Sequence, residues 1–113
     1  MIENPLFLVP TLTGLIFIIA GIIMVKYPPK KINGFYGYRT KSSMKNQKRW
    51  DFAQIYSAKE MMKLGSLLAL CGLIGLKYDF GEIRGVILGI GLLLLMIIAL
   101  LFRVESAIKN KFG

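Results

Sequence analysis

The sequence contains no histidine, a single cysteine and only six acidic residues, and each shortage removes a class of chemistry. Without histidine there is no imidazole base and none of the usual zinc ligand sets. Cys71 lies inside an apolar run with no second thiol, so an intrachain disulfide is excluded. No Ser-His-Asp set, phosphate-cradling glycine loop, paired carboxylates within an apolar block or metal-ligand spacing occurs. Neither an enzyme, a cofactor nor a bound metal is expected. Charge is also absent from three long stretches, Pro5 to Val25, Leu64 to Leu76 and Gly85 to Phe102, in a chain that is 55 % hydrophobic with a mean hydropathy of +0.58. Apolar blocks separated by charged segments are the pattern of a chain passing between lipid and water.

The first block, 21 residues without a charge, spans roughly 31 Å as a helix against a hydrocarbon core of about 30 Å. The third, 18 residues, spans roughly 27 Å and reaches across if Arg84 and Arg103 extend into the headgroups. The middle block has only 13, so a full span must begin near Ser57 and draw Lys59, Glu60 and Lys63 towards the membrane; a re-entrant segment is the alternative. The expected fold is therefore all-α: one integral membrane domain over 1–113, a three-helix bundle with spans at about 5–26, 57–77 and 85–103. Glu3 in place of a basic n-region, and a block too long for an h-region, argue that the first helix is retained rather than cleaved as a signal.

Orientation follows from the basic residues, which give a net charge of +9. Ten of the fifteen lie between Lys26 and Lys63, and Arg103, Lys109 and Lys111 follow the third block. Between blocks two and three, Lys77 and Arg84 are balanced by Asp79 and Glu82. Three spans with a basic first loop (27–56) and a basic tail place the N-terminus outside and the C-terminus in the cytoplasm of a multi-pass membrane protein. With these charges fixing topology and meeting anionic headgroups, no nucleic-acid partner is expected.

The first loop holds the unusual residues. Pro28-Pro29 ends a helix, Asn33-Gly34 signals a turn, and Phe35-Tyr36-Gly37-Tyr38-Arg39-Thr40 then places three rings within four residues. One reading is an interfacial belt of tyrosines with Arg39 on phosphate. The other is a shaped site, in which Gly37 supplies an unusual backbone angle and Arg39 a planar fork for an anion. Ser42 or Ser43 is the expected N-cap of a helix starting near Met44. Its phase puts Asn46, Trp50, Ala53, Ser57, Met61, Leu64, Leu68, Gly72 and Gly75 on one side, and Lys45, Lys48, Phe52, Ile55, Lys59 and Lys63 on the other. Glu60, acidic at the membrane edge, requires a partner: Lys63 or Arg39.

Small residues mark where spans approach: Gly14 and Gly21; Gly65, Ala69, Gly72 and Gly75; Gly85 and Gly89. Packing within one chain is the expectation, with a homo-oligomer the alternative. Pro10 is expected to bend the first helix, and Thr11 and Thr13 to return their hydroxyls to its backbone.

The stretch from Lys31 to Thr40, with Ser42-Ser43 after it and Trp50 ten residues past Thr40, resembles the signature of the SdpI/YfhL family of bacterial immunity membrane proteins. The resemblance implies immunity to a secreted, membrane-active peptide toxin of the sporulation-delaying killing-factor type, exercised in the cytoplasmic membrane by binding. Carried over by position, it singles out Asn33, Tyr36, Gly37, Tyr38, Arg39, Thr40, Ser42 and Trp50, to which the helix reading adds Asn46 and Glu60. The family's founding member also serves as a receptor that draws a repressor to the membrane. Other roles for this loop are thus docking of a cytoplasmic regulator, or binding or transport of an anionic lipid or small solute.

Overall fold

Asn4 accepts the Leu6 N–H (3.0 Å) and Pro5 occupies the first helical position, so helix α1 (Pro5–Lys26) starts with its first turn satisfied. It is followed by α2 (Gln47–Gly75) and α3 (Glu82–Phe112). The computed structural model describes residues 4–78 and 80–113; Glu3 and Asp79, which entered the signal and loop-charge arguments, lie outside the described residues. Among the described residues the fold is all-α, as the apolar blocks imply.

Among the described residues, two helices are long and apolar enough to cross a membrane: α1, with a mean hydropathy of 2.5, and α3, with 3.0. Only 22 % and 17 % of their apolar windows are buried within the chain, which is too little for core helices of a soluble domain and leaves leucine and isoleucine facing outwards. Helix α2 is 29 residues long, but its first half is polar and its apolar part short.

Glycines set the packing. Gly14 of α1 lies so close to Gly65 and Ala69 of α2 that an added Cβ would sit 2.6 Å from the Gly65 carbonyl oxygen. Gly21 meets Ala58 and Met62, Gly72 meets Thr11, and Gly75 meets Leu6, a descending register that makes α1 and α2 antiparallel. Gly85 and Gly89 of α3 pack on Pro5 and Val9, so α1 and α3 run parallel. The expected glycines thus do pack within the chain, where close backbones maximise dispersion contact. Asn4 also donates to the carbonyls of Gly75 and Tyr78, both at 3.0 Å, joining the start of α1 to the end of α2.

Thr13 Oγ1 donates to the Val9 carbonyl at 2.6 Å, the back-bond its position implies. Thr11 does not: its buried Oγ1 has no hydrogen-bond partner among the described residues and lies against Gly72. The start of α2 also differs from expectation. The helix begins at Gln47, because Asn46 accepts the Arg49 N–H at 2.9 Å and caps it, whereas Ser43 is spent on a turn described below. Helix α3 continues three turns past its apolar run to Phe112, and there Val104 and Ile108 are fully buried against Tyr38 and Ala53.

Candidate functional site

Between α1 and α2 the backbone makes few bonds to itself, so side chains must satisfy it. Asn33 Oδ1 accepts the N–H groups of Phe35 (2.9 Å) and Tyr36 (2.7 Å) while its Nδ2 donates to the Lys31 carbonyl at 2.9 Å, an Asx turn. The Arg39 guanidinium donates to the Gly34 carbonyl and closes the loop over that turn. Gly37 has φ +107°, and a Cβ there would lie 2.5 Å from Gln54 Oε1 and 2.7 Å from Pro29 Cγ. Glycine is required at this position both for its angle and for the space.

Gln54, buried on α2, replaces a missing strand partner. Its Oε1 accepts the Tyr38 N–H at 2.6 Å and its Nε2 donates to the Tyr38 carbonyl at 2.8 Å. Ser43, fully buried, accepts the Thr40 N–H at 2.9 Å, and its Oγ lies 3.1 Å from the carbonyl oxygens of both Tyr38 and Thr40. Trp50, also fully buried, donates from Nε1 to the Pro29 carbonyl at 2.6 Å and pins the exit from α1. From the far wall comes Glu105 of α3, whose Oε2 accepts the hydroxyls of Tyr38 (2.7 Å) and Thr40 (2.9 Å). Burial, reinforced by the Glu105 hydrogen bond and charge, pushes the Tyr38 phenol above its ordinary range.

The loop is thus folded and stapled to two helices rather than spread as a belt, although Phe35 at its tip is 94 % exposed. Of the residues singled out from sequence, Asn33, Gly37, Tyr38, Thr40, Asn46 and Trp50 build this structure. Tyr36 adds a hydroxyl bond to the Tyr27 carbonyl at 2.5 Å. Ser42 is only half-buried, and its neighbour Ser43 takes the structural place. The expected Lys63 does pair with Glu60, at 3.9 Å, but the main partner is one the sequence reading did not name, Arg103, which grips both carboxylate oxygens at 2.9 and 3.0 Å, while Arg39 is engaged with Gly34. A planar fork outcompetes a lysine for a bidentate carboxylate. Sequence reasoning missed Gln54, Ser43, Arg103 and Glu105.

Beneath the loop is an apolar crevice of about 500 Å³, entered between α1 and α3. Its roof is the motif itself, Tyr36 to Thr40, and its walls are Ala20, Ile23 and Met24 of α1 with Leu100 and Leu101 of α3. The hydroxyl protons of Tyr36, Tyr38 and Thr40 are already committed to Tyr27 and Glu105. Arg39, exposed and without a carboxylate partner among the described residues, keeps donors for something else. The arrangement can bind an elongated apolar group that ends in an anion.

The chain matches the SdpI/YfhL protein family over residues 30–103, which take in the motif loop, all of α2 and the apolar run of α3. It is 46 % identical over 67 residues to a Bacillus subtilis (strain 168) protein named "Uncharacterized protein YfhL". That alignment covers 56 % of this chain and 61 % of the relative, so less than two thirds of the relative's length is spanned. No solved structure matches the chain. With most of its length, including the stapled loop, inside the family match, the chain belongs to the SdpI/YfhL family.

Proposed function

We propose that this protein confers immunity to a secreted, membrane-active peptide toxin of the sporulation-delaying killing-factor type, acting in the bacterial cytoplasmic membrane by binding and without catalysis. The observation that carries the reading is the family's motif loop, folded at the end of two lipid-facing helices and roofing a crevice between them. In this reading α2 is the third span: its apolar half lies against α1 throughout, and Glu60 enters the membrane edge neutralised by Arg103. The basic residues of the loop support a cytoplasmic side for it in this reading, with the N-terminus outside. A toxin arriving from outside then meets the protein within the bilayer, along α1 and α3, rather than at the loop's outer surface.

Expression in a toxin-sensitive bacterium tests the reading. Survival rises in proportion to the amount of protein in the membrane; killing that is unchanged with the protein inserted refutes it. Orientation is tested with Cys71→Ser and one new cysteine at Lys41 or Tyr78. An impermeant thiol reagent applied to whole cells labels the second and spares the first.

A further inference from the structure

We infer that the crevice beneath the motif loop is a binding site for one acidic phospholipid, an acyl chain lying between α1 and α3 and the phosphate on Arg39. The walls come from the two helices that are apolar enough to span a membrane, with Met61 of α2 as a contact behind them. Its lining residues Ile23, Met24, Leu100 and Leu101 fall within three positions of Lys26, where α1 ends, and of Arg103, which closes the apolar run of α3. That is where headgroup replaces hydrocarbon. The crevice volume of about 500 Å³ falls within the range of sites that enclose small molecules.

Two features select this occupant. The helical walls have their backbone groups bonded internally, so they offer nothing to the amides of an extended peptide, which would be left unpaired. An acyl chain has no such requirement. At the other end, Arg39 spends one donor on the Gly34 carbonyl and keeps the rest of its fork, which matches a phosphate in two-pronged geometry. A neutral lipid would leave that cation unused, and a soluble anion would leave the apolar cleft unfilled. The inference does not depend on the immunity reading, since it concerns the purified protein in the absence of toxin.

The test is native mass spectrometry of the full chain from mild detergent, after equilibration with equal amounts of phosphatidylglycerol and phosphatidylcholine of identical chains. One phosphatidylglycerol is retained per chain, favoured about tenfold or more, the range of a charge-assisted contact. Arg39→Ala abolishes that preference. Ala20→Phe, which fills the crevice and leaves Arg39 in place, lowers retention of both lipids, while Lys41→Ala, an exposed charge outside the crevice, changes nothing. Inorganic phosphate does not compete. Equal retention of the two lipids by the wild type overturns the inference. So does an equal effect of Lys41→Ala and Arg39→Ala, insensitivity to Ala20→Phe, displacement by phosphate, or a co-purifying peptide in place of lipid.

Discussion

Removing the Glu105 carboxylate should release the motif loop from α3 while leaving the three helices in place. Two hydroxyls, from Tyr38 and Thr40, converge on one carboxylate oxygen at 2.7 and 2.9 Å. Each hydrogen bond to a charged acceptor is worth about 1.5–3 kcal/mol when its partner is deleted. Two bonds to one atom are not additive, and Glu105 is only half-buried, so water replaces part of the loss. We take about 3 kcal/mol for Glu105→Ala, close to a 100-fold change in the equilibrium between docked and undocked loop. The assay is amide hydrogen exchange in detergent micelles at Tyr38 and Thr40, whose N–H groups are bonded to Gln54 and Ser43. Exchange there should accelerate about 100-fold with α1 unaffected, and Glu105→Gln, which keeps one acceptor oxygen, should give about tenfold. An acceleration below about threefold in the alanine variant would mean that Gln54 and Ser43 alone hold the loop, and that Glu105 is a bystander.

Three further outcomes are expected. Gly37→Ala forces a Cβ into Gln54 and Pro29 at φ +107° and should cost about 1–3 kcal/mol in unfolding from detergent. Gly34→Ala, where a Cβ meets nothing within 4 Å, is the neutral control. Arg103→Ala leaves the buried Glu60 carboxylate with only a distant lysine and lowers the thermal midpoint; adding Glu60→Gln should recover about half or more of that loss, because the destabilising element is the unpaired charge. In an alkaline titration followed by phenolate absorbance, a late phase should be present in the wild type and absent from Tyr38→Phe. Because folding raises this phenol, its contribution to stability is intact below the ordinary value of 10.0. It is lost as pH rises from there through the folded value.

What could be read from sequence was what depends on local pattern. Charge-free runs gave α1 and α3, glycine spacing gave the α1–α2 contact, and the stripe through Trp50, Ala53, Ser57 and Leu64 is the buried face of α2. Gly37 was legible because a glycine among aromatic residues has few other uses. The partners of the loop were not, because they are distant: Glu105 lies 65 residues from Thr40, and Arg103 lies 43 from Glu60. No periodicity encodes such a meeting. Ser42 and Ser43 are equivalent in sequence, and only the turn geometry chooses the second. One signal was available and unused: Leu100, Val104, Ile108 and Phe112 recur every fourth residue, which marks a helix continuing with one apolar face beyond the apolar run. That continuation is what brings Glu105 to the loop.

Protection by the folded motif loop is the core of the function proposed above. It is tested most directly by survival of a sensitive bacterium under a killing-factor-type peptide, comparing wild type, Arg39→Ala and Trp50→Ala at membrane levels matched by immunoblot. The wild type should protect, and both variants should fail to protect although they still insert. Killing of cells that carry the wild-type protein, or equal protection by all three, would contradict it.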